Sequence, residues 1–204
     1  MLYFAPIVEG HGEVEAVPAL FHRIAAAAGF PGQILVNPPI RVKAGSFLNN
    51  HDVFRRHIEL AAAKAKNRNG VVIILLDSDD DSNCPKEIGP RLLGRARAIR
   101  DDVPYLVSLA WREYESWFLT AAQSLRGHHG LPTDLAPPSV PEAIRGAKEW
   151  LSGQMPRPYD PIEHQIAFTK IFDLNEARAN RSFNRLFTRI EYLLGQAADR
   201  GMTL

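Results

Sequence analysis

The chain has 204 residues, 46% of them hydrophobic and 23% charged, with a formal net charge of +1. That length allows one good core with a helical extension. The neutral balance excludes a global electrostatic pull on nucleic acid, so any such binding has to come from a local patch. A single cysteine, Cys84, excludes an intramolecular disulfide and fits a reducing compartment. The longest apolar run, residues 71–76, is too short to span a bilayer, and no signal-peptide pattern opens the chain. The expectation is a cytoplasmic protein with no membrane association.

In chain order, residues 2–8 read as a short buried strand. Pro6 inside it predicts irregularity or a place near a sheet edge, because proline brings no N–H to the ladder. Gly10 and Gly12 mark a turn. Over residues 13–28, Val14, Val17, Leu20, Phe21 and Ile24 recur at helical spacing, with Gly29 as the stop. Residues 33–37 read as a second strand, followed by a Pro-Pro turn and a loop through Gly45. Residues 51–66 are helical, with Val53, Phe54, His57, Ile58 and Ala61 on one face. Residues 71–76 are the clearest strand, apolar without alternation, as in a parallel sheet covered on both faces. Pro85 opens a basic helix carrying Arg91, Arg95, Arg97 and Arg100. Residues 104–110 form a further strand, and residues 114–125 an aromatic-rich helix.

Strands alternating with helices predict an α/β fold, Rossmann-like, with a mostly parallel sheet of about four strands flanked by helices. Past Gly127 the pattern changes: "LPTDLAPPSVPEA" is proline-rich, and the remainder is helical. The expected organisation is an α/β domain over residues 1–125, with a helical C-terminal extension over residues 126–204 packed on it.

Two apolar runs end abruptly in carboxylates: "IVEGHGEVEAV" and "VVIILLDSDDDSNC". In open α/β sheets the functional crevice lies beyond the carboxyl ends of the strands. Glu9 and Asp77 follow their strands immediately and belong at that edge. Alternation puts Asp77 and Asp79 on one side, with Asp81 on the same alternation. Glu13 points the same way if its helix starts near Gly12. Carboxylates gathered so closely repel and raise each other's pKa. A divalent cation resolves that conflict, and an all-oxygen set suits Mg²⁺ or Mn²⁺. The alternative for "DSDDDSN" is a solvated acidic turn.

"IVEGHGEVEAVP", followed by a buried strand ending "LLDSDDD", resembles the Toprim domain, with a glutamate after its first strand and an Asp-x-Asp after a later one. The Glu9–Glu13 spacing is similar to that of Toprim nucleases of the overcoming-lysogenization-defect class. "WREYESWFLTA" and "RSFNRLFTRI" resemble a family of small standalone bacterial Toprim-like proteins of uncharacterised function. The resemblance implies Mg²⁺-dependent phosphodiester chemistry on DNA or RNA. In it, Glu9 is a general acid/base and Asp77 and Asp79 hold metal, with Glu13 as a further metal ligand. It also implies work beside an ATPase partner in defence against foreign DNA. The chain lacks an evident nucleophilic tyrosine in a second domain, which favours activated water over a covalent intermediate. A catalytically silent module binding nucleic acid or protein is the alternative.

Glu113 and Glu115 follow the strand over residues 104–110, as second-site acids or as favourable charge at a helix N-terminus. Arg91 and Arg95 share a helix face and either meet phosphate or solvate the surface. Lys148 and Lys170 lie in the helical part, where Arg178, Arg181, Arg185 and Arg189 follow three- and four-residue spacing. That stripe, opposite Phe183, Leu186, Phe187 and Ile190, either tracks a nucleic-acid backbone or faces water. No Gly-x-x-x-x-Gly-Lys-Ser/Thr loop is present, which excludes ATP hydrolysis by that route. A phosphorylated receiver is disfavoured because no lysine ends the later strand.

Overall fold

The computed structural model describes residues 1–66, 68, 70–78 and 85–199. Its centre is a parallel sheet. β1 (Leu2–Val8) pairs with β2 (Ile34–Val36), with the two-residue β3 (Ile40–Arg41) and with β4 (Gly70–Ser78); β4 pairs with β5 (Tyr105–Trp111). The strand order is β2-β1-β4-β5, so β1 and β4 are interior and β5 forms an edge.

The unbroken apolar run of β4 has a direct explanation. Val71, Ile73 and Leu75 enter one core, and Val72, Ile74 and Leu76 enter the other, so neither face can be polar. On one face lie α2 (Ala44–Asn49), α3 (His51–Lys66) and α4 (Pro85–Ile99), contributing Phe47, Phe54, Ile58 and Leu92. On the other lie α1 (His11–Ala27), α5 (Ser116–Thr120), α6 (Ala147–Gln154), α7 (Pro161–Ile171), α8 (Leu174–Ala177) and α9 (Arg181–Asp199). The second core draws on residues before and after position 125. Phe118 of α5 makes edge-on contacts with Phe168 and Phe172, ring centroids 5.5 Å apart in each case. The fully apolar face of α9 (Phe183, Leu186, Phe187, Ile190) is buried, as its periodicity requires. No helix among the described residues is long and apolar enough to cross a membrane.

Three local expectations need correction. Pro6 does not push β1 to an edge. Asn37 N donates to Phe4 O and Val42 N to Val8 O, so even-numbered residues of β1 turn their backbone groups toward β2 and β3. Pro6 therefore falls in the gap where β2 has ended and β3 has not begun, and its absent N–H removes no ladder bond. The segment after the Pro-Pro turn is not loop throughout, because it holds β3 and α2, anchored by buried Val42 and Phe47. The helix expected over residues 114–125 is shorter: α5 ends at Thr120, and a 3₁₀ turn follows at Ala122–Leu125.

Candidate active site

Glu9 directly follows β1 and Asp77 lies one residue from the end of β4, adjacent parallel strands, so chain direction alone brings them to the same carboxyl edge. Both line a cavity of about 350 Å³, together with Glu13, Glu115 and Lys148. The N-termini of α1 and α7 also border it, each presenting the positive end of its dipole. Their close approach depends on Gly12: a Cβ there would collide with Gln165 Oε1 and with the carbonyl oxygen of Pro161.

Glu13 is 3% exposed and turned back on its own helix start. Its Oε2 accepts the Glu9 N–H at 3.0 Å, reaching back as in a capping box whose N-cap, Gly10, has no side chain to reciprocate. Burial pushes its pKa up to about 7, against the lowering effect of the backbone N–H groups it accepts from. Asp77 Oδ1 accepts the Tyr114 N–H at 2.9 Å, so this carboxylate also pins the segment leaving β5.

That segment turns sharply. Arg112 adopts φ +64, an uncommon left-handed conformation for a residue with a side chain, and its N–H and C=O bond to Ser78 Oγ and Ser78 N. The reversal tucks Glu113 and Glu115 under the sheet edge. Glu113 accepts from the Ala147 and Lys148 N–H groups, capping α6 in place of Gly146. Lys148 Nζ lies 2.8 Å from Glu113 Oε1 and 3.3 Å from Glu115 Oε2. Glu115 is fully buried, with Tyr159 Oη donating to its Oε1 at 3.1 Å. Burial raises the Glu115 pKa, and Lys148 partly offsets that. Burial would lower the Lys148 pKa, but Glu115, Asp77 and Glu113 together outweigh it, and the ammonium is held firmly charged.

The cavity thus gathers Glu9, Glu13, Asp77, Glu115 and Asp160, the last capping α7 through the Ile162 N–H; Glu113 reaches Lys148 from beside it. Asp79 and Asp81 lie outside the described residues. Among the described residues, no three His, Cys, Asp or Glu side chains converge to hold a metal ion. Lys148 was legible only as one more basic residue of the helical part. Its pairing with Glu113 and Glu115 spans more than thirty positions and leaves no local pattern.

The basic candidates do not reach this cavity. Arg95 stacks over Phe54 at 4.0 Å and donates to Leu48 O at 2.7 Å, fastening α4 to α2 and α3, while Arg91 stays exposed. The arginine stripe divides. Arg178 packs over Phe187, Arg181 pairs with Glu142 at 3.0 Å, and Arg189 donates to Val107 O at 2.7 Å. Arg185 remains exposed.

No curated protein and no solved structure matches the chain. A family model does, and its match over residues 8–191 runs from the end of β1 into α9, through every site residue named above. The chain belongs to the family described as domain of unknown function DUF4276.

Proposed function

We propose that the cavity is the catalytic site of a Toprim-type nuclease, carrying out Mg²⁺- or Mn²⁺-dependent phosphodiester hydrolysis on DNA or RNA with activated water. The observation that carries the reading is the meeting of Glu9 and Asp77, from two adjacent parallel strands, in one cavity at the carboxyl edge of the sheet. The oxygen-only donors suit such a cation in kind. In number the described residues fall short, and the reading calls on Asp79, which lies outside them. In this reading Glu9, Asp77 and Asp79 would hold the ion, with Glu13 bonded to the Glu9 backbone. Once bound, the ion would polarise a phosphoryl oxygen and make a coordinated water more acidic.

The chain's own groups divide the remaining work. Glu13, with a pKa near 7, can hold or release a proton at neutral pH, the range that suits general acid/base catalysis. Lys148 neutralises Glu113 and Glu115, which would otherwise repel an anionic phosphate. The resemblance alone suggests the cytoplasmic defence setting and the ATPase partner.

A second reading is a catalytically silent module that binds nucleic acid or protein. It is favoured by Lys148, whose ammonium itself compensates two of the acids. Calorimetric titration with Mn²⁺ separates the two. The nuclease reading expects saturable binding that Asp77→Asn abolishes, whereas the silent module expects none.

A further inference from the structure

β5 ends the sheet, and its outer side faces a groove between α4 and α9. This cavity, about 620 Å³, is larger than the acidic one. Tyr105, Leu106, Val107, Ser108 and Leu109 all border it. Successive strand side chains point to opposite faces, so five consecutive residues share one groove only when the backbone edge is its floor.

The register settles which backbone groups look outward. Val72 N donates to Pro104 O, so the even-numbered residues of β5 serve β4. The N–H and C=O groups of Tyr105, Val107 and Leu109 then point into the groove. Arg189 Nη1 takes Val107 O at 2.7 Å, and among the described residues no partner takes the N–H of Val107 or Leu109. Lys86, Arg185 and Arg189 border the groove, and among the described residues no acidic one does.

We propose that the β5 edge is a docking site for an extended acidic segment of a partner protein, which adds to the sheet as one more strand. Main-chain bonds to Val107 and Leu109 hold the segment, and carboxylates on alternate residues meet Lys86, Arg185 and Arg189. Arg189 guards the edge while it is empty by occupying Val107 O, and the incoming strand releases its guanidinium to a carboxylate. Charge selects the occupant. A second copy docking through the same edge would set these cations against their equivalents. A nucleic-acid strand would answer the charge without supplying the alternating carbonyl and N–H groups of a β-strand. This inference does not depend on the acidic cavity being catalytic.

The test is fluorescence anisotropy on the full chain with a labelled nine-residue peptide alternating glutamate and valine. The expected result is saturable binding, weakened about tenfold or more by Arg185→Glu, a substitution at an exposed helix position. N-methylation of alternate peptide amides, which keeps the charge and blocks strand pairing, should abolish binding. Hydrogen exchange should show new protection at the Val107 and Leu109 amides. The proposal is overturned by absence of binding at millimolar peptide or by equal binding of the N-methylated or the lysine-valine peptide. Displacement of the peptide by a single-stranded oligonucleotide that contacts the same amides would overturn it in favour of nucleic acid. Concentration-dependent dimerisation that protects those amides would overturn it in favour of a second copy.

Discussion

The Lys148 ammonium lies 3.3 Å from the fully buried carboxylate of Glu115, joining α6 to the segment that leaves the last strand. Glu113, 2.8 Å from the same nitrogen, completes a triad in which one cation serves two acids. The helical extension therefore supplies the charge that makes an acid-rich sheet edge tolerable.

Removing one partner of a buried ion pair leaves the other uncompensated. Lys148→Met should destabilise the fold by ~2–3 kcal/mol at pH 8, below the ~3–5 of a fully buried pair because Lys148 keeps some exposure. The loss should shrink as pH falls, because Glu115, its pKa raised by burial, then takes up a proton. Thermal melts across pH check this, and Glu115→Gln in the Lys148→Met background should restore part of the loss. A pH-independent loss with no rescue would contradict the pairing.

Glu13 gives a separate pH signature. Its pKa rises from 4.5 to about 7 on folding, so between those values the unfolded chain ionises first. Its contribution is most favourable at low pH, is lost as pH rises through that window, and stays lost above it. At 1.36 kcal/mol per unit the loss is on the order of 3 kcal/mol. Glu13→Gln, measured by denaturant titration in the presence of a chelator, should gain stability at pH 8 and gain nothing at pH 4. A loss at pH 8 would show that the charged form is the one the fold prefers.

Phe168 of α7 touches Phe118 of α5 and is fully buried. Phe168→Ala should cost about 3–5 kcal/mol, as for other buried aromatics. It should also lower the melting temperature of the whole chain in one transition, because the second core is shared across residue 125. Two separate transitions would mean that the extension unfolds independently.

Much of this architecture is legible in the sequence. The non-alternating run at β4, the helix over His51–Lys66 and the glycine stop at Gly29, which takes φ +62, all follow from local periodicity and backbone preference. Pro6 misled because its harm depends on where neighbouring strands end, which one strand's sequence does not carry. The meeting of Glu9 and Asp77 in one cavity was legible because parallel strands of one sheet share a carboxyl edge. The capping roles of Glu13 and Glu113, the Lys148 pairing and the use of Arg95 against Phe54 were not. Each depends on a partner fixed by packing or turn geometry rather than by residue pattern.

The most direct measurement is cleavage of labelled single- and double-stranded DNA and RNA by purified protein in Mg²⁺ or Mn²⁺, wild type beside Asp77→Asn. The account predicts cation-dependent cleavage by wild type and a loss of about a hundredfold or more in the variant, as for removal of a key electrostatic group. Cleavage that survives Asp77→Asn, or that needs no divalent cation, would contradict it.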